Sequence, residues 1–206
     1  MLDTYKTINN NASGFYADKG SKFYSFIYNI ENKEDVKEKI LALKKEYHDA
    51  QHHVYAFVLG EDKKNYNCSD DGEPSNSSGI HVLGQIRSFD LTNVLIVVVR
   101  YFGGTKLGIS GLINAYKTAA FEAINNTKII EKTINTNIEL YFSYDEINFV
   151  MKIIKDLKAE ITNQNFVEQC YVKVSIRKSL ENTFIEKIQQ NHKIKIIENQ
   201  CKNLLT

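Results

Sequence analysis

The sequence predicts an α+β protein in two parts, and three observations carry that prediction. Aromatic and β-branched runs alternate with amphipathic segments at helical spacing throughout the 206 residues. All ten glycines and the single proline lie at or before Gly111, in a segment punctuated by turns, and none follows it. Beyond about residue 130 the pattern becomes a regular succession of strands and helices without either turn-former.

Tyr5 to Ile8 and Ser21 to Ile30 read as two opening strands around a Ser13-Gly14 turn, because both are rich in Tyr, Phe and Ile. Asn32 is placed to cap a helix over Lys33 to Tyr47, where Val36, Ile40, Leu43 and Tyr47 recur on one face and lysines and glutamates fill the other. His53 to Leu59 is a strand with His53, Tyr55, Phe57 and Leu59 on one side and His52, Val54, Ala56 and Val58 on the other. A polar loop, Gly60 to Asn76, separates it from a short helix capped at Ser77 or Ser78 and running through Val82, Leu83 and Ile86. Asn93 to Tyr101 is an apolar, β-branched strand of the kind buried on both faces. A helix from Ile109 to about Asn125 presents Leu112, Ala115, Tyr116, Ala119, Ala120 and Ala123 as a packing face of mostly small residues.

The remainder reads as strand Ile129 to Phe142, helix Asp145 to Lys158, strands Glu160 to Asn165 and Val167 to Arg177, helix Leu180 to Asn191, and strand Lys193 to Glu198. That order, βαββαβ, is the split-βαβ or ferredoxin-like plan, an antiparallel sheet with both helices on one face. A domain boundary is therefore expected near residue 130, giving domains 1–130 and 131–206 with one long strand at the junction.

Composition narrows the function classes. A hydrophobic content of 43% is enough for a substantial core, and a net charge of +1, shared evenly between the halves, supplies no basic face, so nucleic-acid contact requires a local patch. Cys68, Cys170 and Cys201 are odd in number and widely spaced, the pattern of reduced thiols in the cytoplasm rather than of a disulfide framework or thiolate zinc site. Residues 1–11 lack the apolar stretch of a signal peptide, and the run Val94 to Val99 is too short to span a bilayer, so a cytoplasmic protein without membrane association is expected.

Two segments concentrate the chemistry: Ser69-Asp70-Asp71-Gly72-Glu73-Pro74, and Arg100-Tyr101-Phe102-Gly103-Gly104-Thr105-Lys106-Leu107-Gly108. In the second, a strand delivers Arg100, a glycine turn bares backbone N–H groups, and a helix begins beside Lys106 with its positive end toward the turn. Arg100, Gly103, Gly104, Lys106 and Gly108 form a candidate site for a phosphate or nucleic-acid backbone, and close strand-to-helix packing is the alternative reading of the same glycines. The spacing fits neither a Walker loop nor a dinucleotide fingerprint. Asp70, Asp71 and Glu73 are weak candidates for a metal, and each also suits a rigid turn or an ion pair with Arg100 across the site. His52 and His53 project to opposite faces of their strand, so one of them faces the carboxylate loop. The stripe Tyr24, Phe26, Tyr28 and the neighbourhood of Tyr171 read first as core, and on an open sheet as platforms for unpaired bases.

These segments, with Asp49-Ala50 before His52-His53, Val97-Val98-Val99 before Arg100, and Gly111-Leu112 before Ala115-Tyr116, resemble the signature of the Impact family in its bacterial branch. The resemblance covers roughly residues 15 to 125; Ser78-Gly79-Ile80-His81 departs from the family's usual Ala-Gly-x-Pro, and Ser110-Gly111-Leu112 from Gly-Gly-Leu. It implies an N-terminal domain like the second domain of ribosomal protein S5 and a C-terminal domain similar to one in elongation factor G. It also implies translational control, since eukaryotic relatives bind the activator of an amino-acid-starvation kinase. On that basis the expected protein is a non-enzymatic regulator without a cofactor. Its cleft of His52, His53, Asp70, Asp71, Glu73, Arg100 and Lys106 would meet RNA, the ribosome or a translation-related protein. The alternative is a metal-assisted enzyme acting on an anionic substrate at the same cleft.

Overall fold

A computed structural model describes residues 3–167 and 169–198. They divide into two compact units, Tyr5–Lys132 and the residues from Thr133 onward with Asp3 and Thr4. Both are α+β and both are built on antiparallel sheets.

The N-terminal unit begins with β1 (Thr4–Ile8), which pairs with β7 (Ile129–Thr133) in a two-stranded sheet. Its main sheet has five strands, β2 (Ala12–Asp18), β3 (Ser21–Asn29), β4 (His52–Leu59), β5 (Asn65–Ser69) and β6 (Val94–Tyr101), in the order β2-β3-β6-β4-β5. Helix α1 (Lys33–Glu46) lies on one face, its N-terminus capped by the Asn32 side chain, which accepts from the Asp35 N–H at 2.9 Å. Helices α2 (Gly79–Ser88) and α3 (Gly108–Asn125) pack on the other. The alternation expected for β4 is observed. Val54, Ala56 and Val58 join the α2/α3 core, and Phe57 and Leu59 join the α1 core. From Val94 to Arg100 every residue of β6 is buried, because this central strand has helices over both faces.

Two local expectations are corrected. The Ser13-Gly14 pair is not a turn but lies inside β2, and the hairpin turns instead at Lys19-Gly20, both in the left-handed region at φ 46° and 81°. Gly14 is small for packing: a Cβ there would stand 2.5 Å from the Ala123 nitrogen of α3. The Gly60 to Asn76 loop contains β5, a strand missed because an exposed edge strand needs no apolar alternation.

The single strand expected over Ile129 to Phe142 is two strands in different sheets, β7 at the end of the N-terminal unit and β8 (Asn135–Phe142) at the start of the C-terminal one. After β8 come α4 (Ile147–Asp156), β9 (Glu160–Asn165), β10 (Cys170–Arg177), α5 (Glu181–Gln189) and β11 (Lys195–Glu198), in the order βαββαβ. The sheet order is β11-β8-β10-β9. Ile138, Leu140 and Phe142 of β8 and Val172, Val174 and Ile176 of β10 pack with Val150, Ile154, Phe184 and Ile188 from α4 and α5, so one face of this sheet holds the core. Cys68 and Cys170 are free thiols, and Cys201 lies outside the described residues. Among the described residues no helix is long and apolar enough to cross a membrane.

Candidate functional site

The two chemical segments meet at one end of the five-stranded sheet. Strand register places Phe23 of β3 opposite Arg100 of β6, and Arg100 opposite His52 of β4. These residues form one row on the face that carries α3. Arg100 is 5% exposed and Glu73 8%. The Arg100 guanidinium lies 5.5 Å from the Phe23 ring centre and 5.7 Å from that of Phe102, and its Nη1 donates to Glu73 Oε1. Tyr116 of α3 donates its hydroxyl to the same oxygen at 2.6 Å. Burial pushes the Tyr116 hydroxyl far above its ordinary pKa, and the adjacent Glu73 charge adds to the shift, so it acts as a fixed donor. Arg100 Nε has no hydrogen-bond partner.

The acidic segment is a tight turn in which the Glu73 N–H bonds the Asp70 carbonyl at 3.0 Å while Asp71 and Gly72 adopt φ of 42° and 88°. Its three carboxylates go to three places. Asp70 caps α2, accepting from the N–H groups of Asn76, Ser78 and Gly79 and from the Ser78 hydroxyl at 2.6 to 3.2 Å. Of the two serines expected as cap, Ser78 holds the N-cap position, but its hydroxyl donates to Asp70, whose carboxylate accepts from the helix N–H groups. Asp71 accepts from the His53 N–H at 2.6 Å and from Lys44 Nζ at 3.0 Å. Glu73 alone meets Arg100. Among the described residues no three His, Cys, Asp or Glu side chains gather as a metal-ligand group.

The two histidines separate as neighbours on a strand must. His52 faces the cleft, with Nδ1 2.8 Å from the Asp71 carbonyl oxygen and Nε2 3.8 Å from Glu73 Oε1. A carbonyl only accepts, so Nδ1 carries the hydrogen. His53 is buried on the opposite face, with Nδ1 4.0 Å from Asp71 Oδ2 and Nε2 unpartnered.

The glycine turn serves two ends. Gly103 packs against the β2–β3 turn, where an added Cβ would stand 1.9 Å from the Gly20 carbonyl carbon, and its N–H donates to Ser21 Oγ at 3.1 Å. Gly104 and Gly108 have positive φ with open space beside them. Helix α3 then starts at Gly108 with no side-chain cap and no acidic residue in its first turn. Between this helix end and the acidic turn lies a cleft of about 430 Å³, walled by Pro74, Phe102, Leu107, Ile109 and Leu112. Of the residues expected there, His52, Glu73, Arg100, Lys106 and Gly108 line it, whereas His53, Asp70, Asp71, Gly103 and Gly104 are absent from its lining. Tyr116 and Phe23 lie beneath the lining, against Glu73 and Arg100, and the sequence reading places Tyr116 only on a packing face. The one available signal was a tyrosine in an otherwise small-residue helix face.

Titration links this corner to stability. Burial would raise the Asp70 carboxyl, but the Ser78 hydroxyl and three backbone N–H groups outweigh it and hold it below its ordinary value. Burial likewise opposes, and the His53 N–H and Lys44 overcome, the shift at Asp71. His53 is itself lowered, chiefly by burial, with the Asp71 charge partly opposing. A lowered histidine costs stability as pH falls below about 6.5, since the unfolded chain takes the proton first. The lowered carboxyls contribute stability that is complete above about pH 4 and lost as pH falls through their folded values. The urea midpoint should therefore begin to fall below about pH 6.5 and fall further below about pH 4; His53→Gln should remove the first phase only, and an unchanged profile in that variant would disprove the assignment.

The Impact N-terminal domain model matches residues 19–124, which include every residue of this site. The IMPACT family member YvyE of Bacillus subtilis is 26% identical over 186 residues, covering 90% of this chain and 86% of that protein. The IMPACT family member YigZ of Escherichia coli is 28% identical over 160 residues, covering 77% and 78%. A crystal structure of a hypothetical protein shares the fold with a TM-score of 0.71 at 23% identity, over 97% of this chain and 100% of that one. With the domain match spanning half the chain and both chemical turns inside it, this protein belongs to the Impact family.

Proposed function

We propose that the chain is a non-enzymatic, cytoplasmic regulatory protein of the translation machinery whose N-terminal cleft receives a partner. The observation that carries this reading is the cleft itself. Arg100 and Glu73 line it, joined by Tyr116 beneath them in a buried ionic network, and its mouth offers Lys106, an uncapped helix end and the exposed Phe102 and Ile109, at 46% and 63%. Exposed aromatic and aliphatic anchors around one positive spot suit an apolar protein segment carrying an acidic group, on a translation factor or at the ribosome surface. A metal-assisted reaction gains no support, because Asp70, Asp71 and Glu73 each serve a different element. The fold names follow the same reading: residues 1–130 as the Impact-type, S5 domain 2-like domain, and residues 131–206 as a ferredoxin-like domain similar to one of elongation factor G. The order β11-β8-β10-β9 supports the latter.

Ribosome co-sedimentation tests the proposal. The wild type should sediment with ribosomes at low salt and less at high salt. Lys106→Glu and Phe102→Ala/Ile109→Ala should each weaken retention about tenfold. Retention equal to wild type in both variants would remove the cleft from the mechanism, and retention abolished by nuclease but not by the variants would assign binding to RNA elsewhere.

A further inference from the structure

The C-terminal sheet has its core on one face, where α4 and α5 pack. On the other face the register aligns a four-strand row, Lys195 of β11, Tyr141 of β8, Tyr171 of β10 and Asn165 of β9. The two tyrosines are directly opposed on the central strands, with ring centres 4.9 Å apart and planes inclined by 48°. The next row is Ile197, Glu139, Lys173 and Asn163, in which Lys173 and Glu139 pair at 3.2 Å. Ile197 is the one aliphatic residue among the described positions of this face.

We infer that this face binds single-stranded nucleic acid, with bases stacking on Tyr141 and Tyr171. Two adjacent rings on central strands form a platform, and every base has a π-face to lay on it. Lys195, exposed beside Tyr141, is placed for a phosphate. The amides of Asn163 and Asn165, exposed on the flanking strand, can meet base edges. The cations Lys173, Lys195 and Arg177 stand against Glu139 and Glu160, with Arg177 3.8 Å from Asp3. Three cations against three carboxylates leave no net positive charge, which predicts that stacking carries the affinity and that phosphates contribute little. An apolar protein partner would require aliphatic surface that the face lacks, and a duplex keeps its bases inside, beyond the reach of the rings.

Fluorescence anisotropy of the full chain with labelled oligouridine, oligothymidine and a mixed-sequence duplex tests this site. Either single strand should bind at least tenfold more tightly than the duplex, with a log–log salt slope no steeper than about −2, corresponding to two or three phosphates. Tyr141→Ala/Tyr171→Ala should weaken binding about 10- to 100-fold, whereas Tyr141→Phe/Tyr171→Phe should stay within about twofold because stacking needs only the ring. Lys195→Glu, a surface change that leaves the rings in place, should weaken it several-fold. Lys106→Glu should have no effect, which separates this site from the N-terminal cleft. The inference is overturned if neither single strand binds, if the duplex binds equally well, or if both the alanine pair and Lys195→Glu bind like the wild type.

Discussion

Arg100→Ala should destabilise the N-terminal unit by about 3–5 kcal/mol, the cost of leaving a buried partner charge uncompensated. The Glu73 carboxylate would keep only the Tyr116 hydroxyl, with His52 at 3.8 Å, in a site nearly closed to water. Glu73→Ala should be of similar severity, since it strands the guanidinium between the Phe23 and Phe102 rings. Tyr116→Phe removes one hydrogen bond to a charged acceptor and should cost about 1.5–3 kcal/mol. The Arg100→Met/Glu73→Met pair should recover much of the loss, because burying the two charges was itself expensive. The chain has twelve tyrosines and no tryptophan, so urea unfolding by tyrosine fluorescence reports both units together. Hydrogen exchange of the β6 amides isolates the N-terminal one. Equal protection in Arg100→Ala and wild type would show that the buried pair is not what holds this corner.

The second large effect belongs to one of two adjacent glycines. Gly103→Ala should cost about 3 kcal/mol or more, because its Cβ would overlap backbone of Gly20 and Ser21, which cannot rotate away. Its neighbour Gly104 has φ of 86° and nothing within 4 Å of an added Cβ, so Gly104→Ala should cost only the left-handed penalty, about 1–2 kcal/mol. The order of the two midpoints is the test. If Gly104→Ala proved the worse, the two-glycine turn would matter for its conformation and not for its contact with the β2–β3 hairpin.

That pair shows where sequence reading reaches and where it stops. Helices α1 and α3 and strand β6 were legible because periodicity and burial coincide in them: Asn32 does cap α1, and the run of valines in β6 is buried on both faces. Turns were harder. Gly14 and Gly103 are fixed by what lies against them in space, Ala123 and Gly20, and a partner more than a hundred residues away for the first, and more than eighty for the second, leaves no local mark. The break between β7 and β8 was invisible for a related reason, since both halves favour extended backbone and only the choice of partner strand divides them. In the cleft, the carboxylates and Arg100 could be grouped from sequence, but which acid meets the arginine depended on how the turn at Asp71-Gly72 aims Glu73.

A short turn of aspartates, glycine and proline is the composition at which proteases ordinarily nick a chain. Here four residues are bonded to α2 through Asp70, to β4 and α1 through Asp71, and to β6 and α3 through Glu73. The segment cannot lift into a protease without uncapping one helix and opening both faces of the sheet. What looks from its residues like the most severable loop in the protein is the strap that closes its layers.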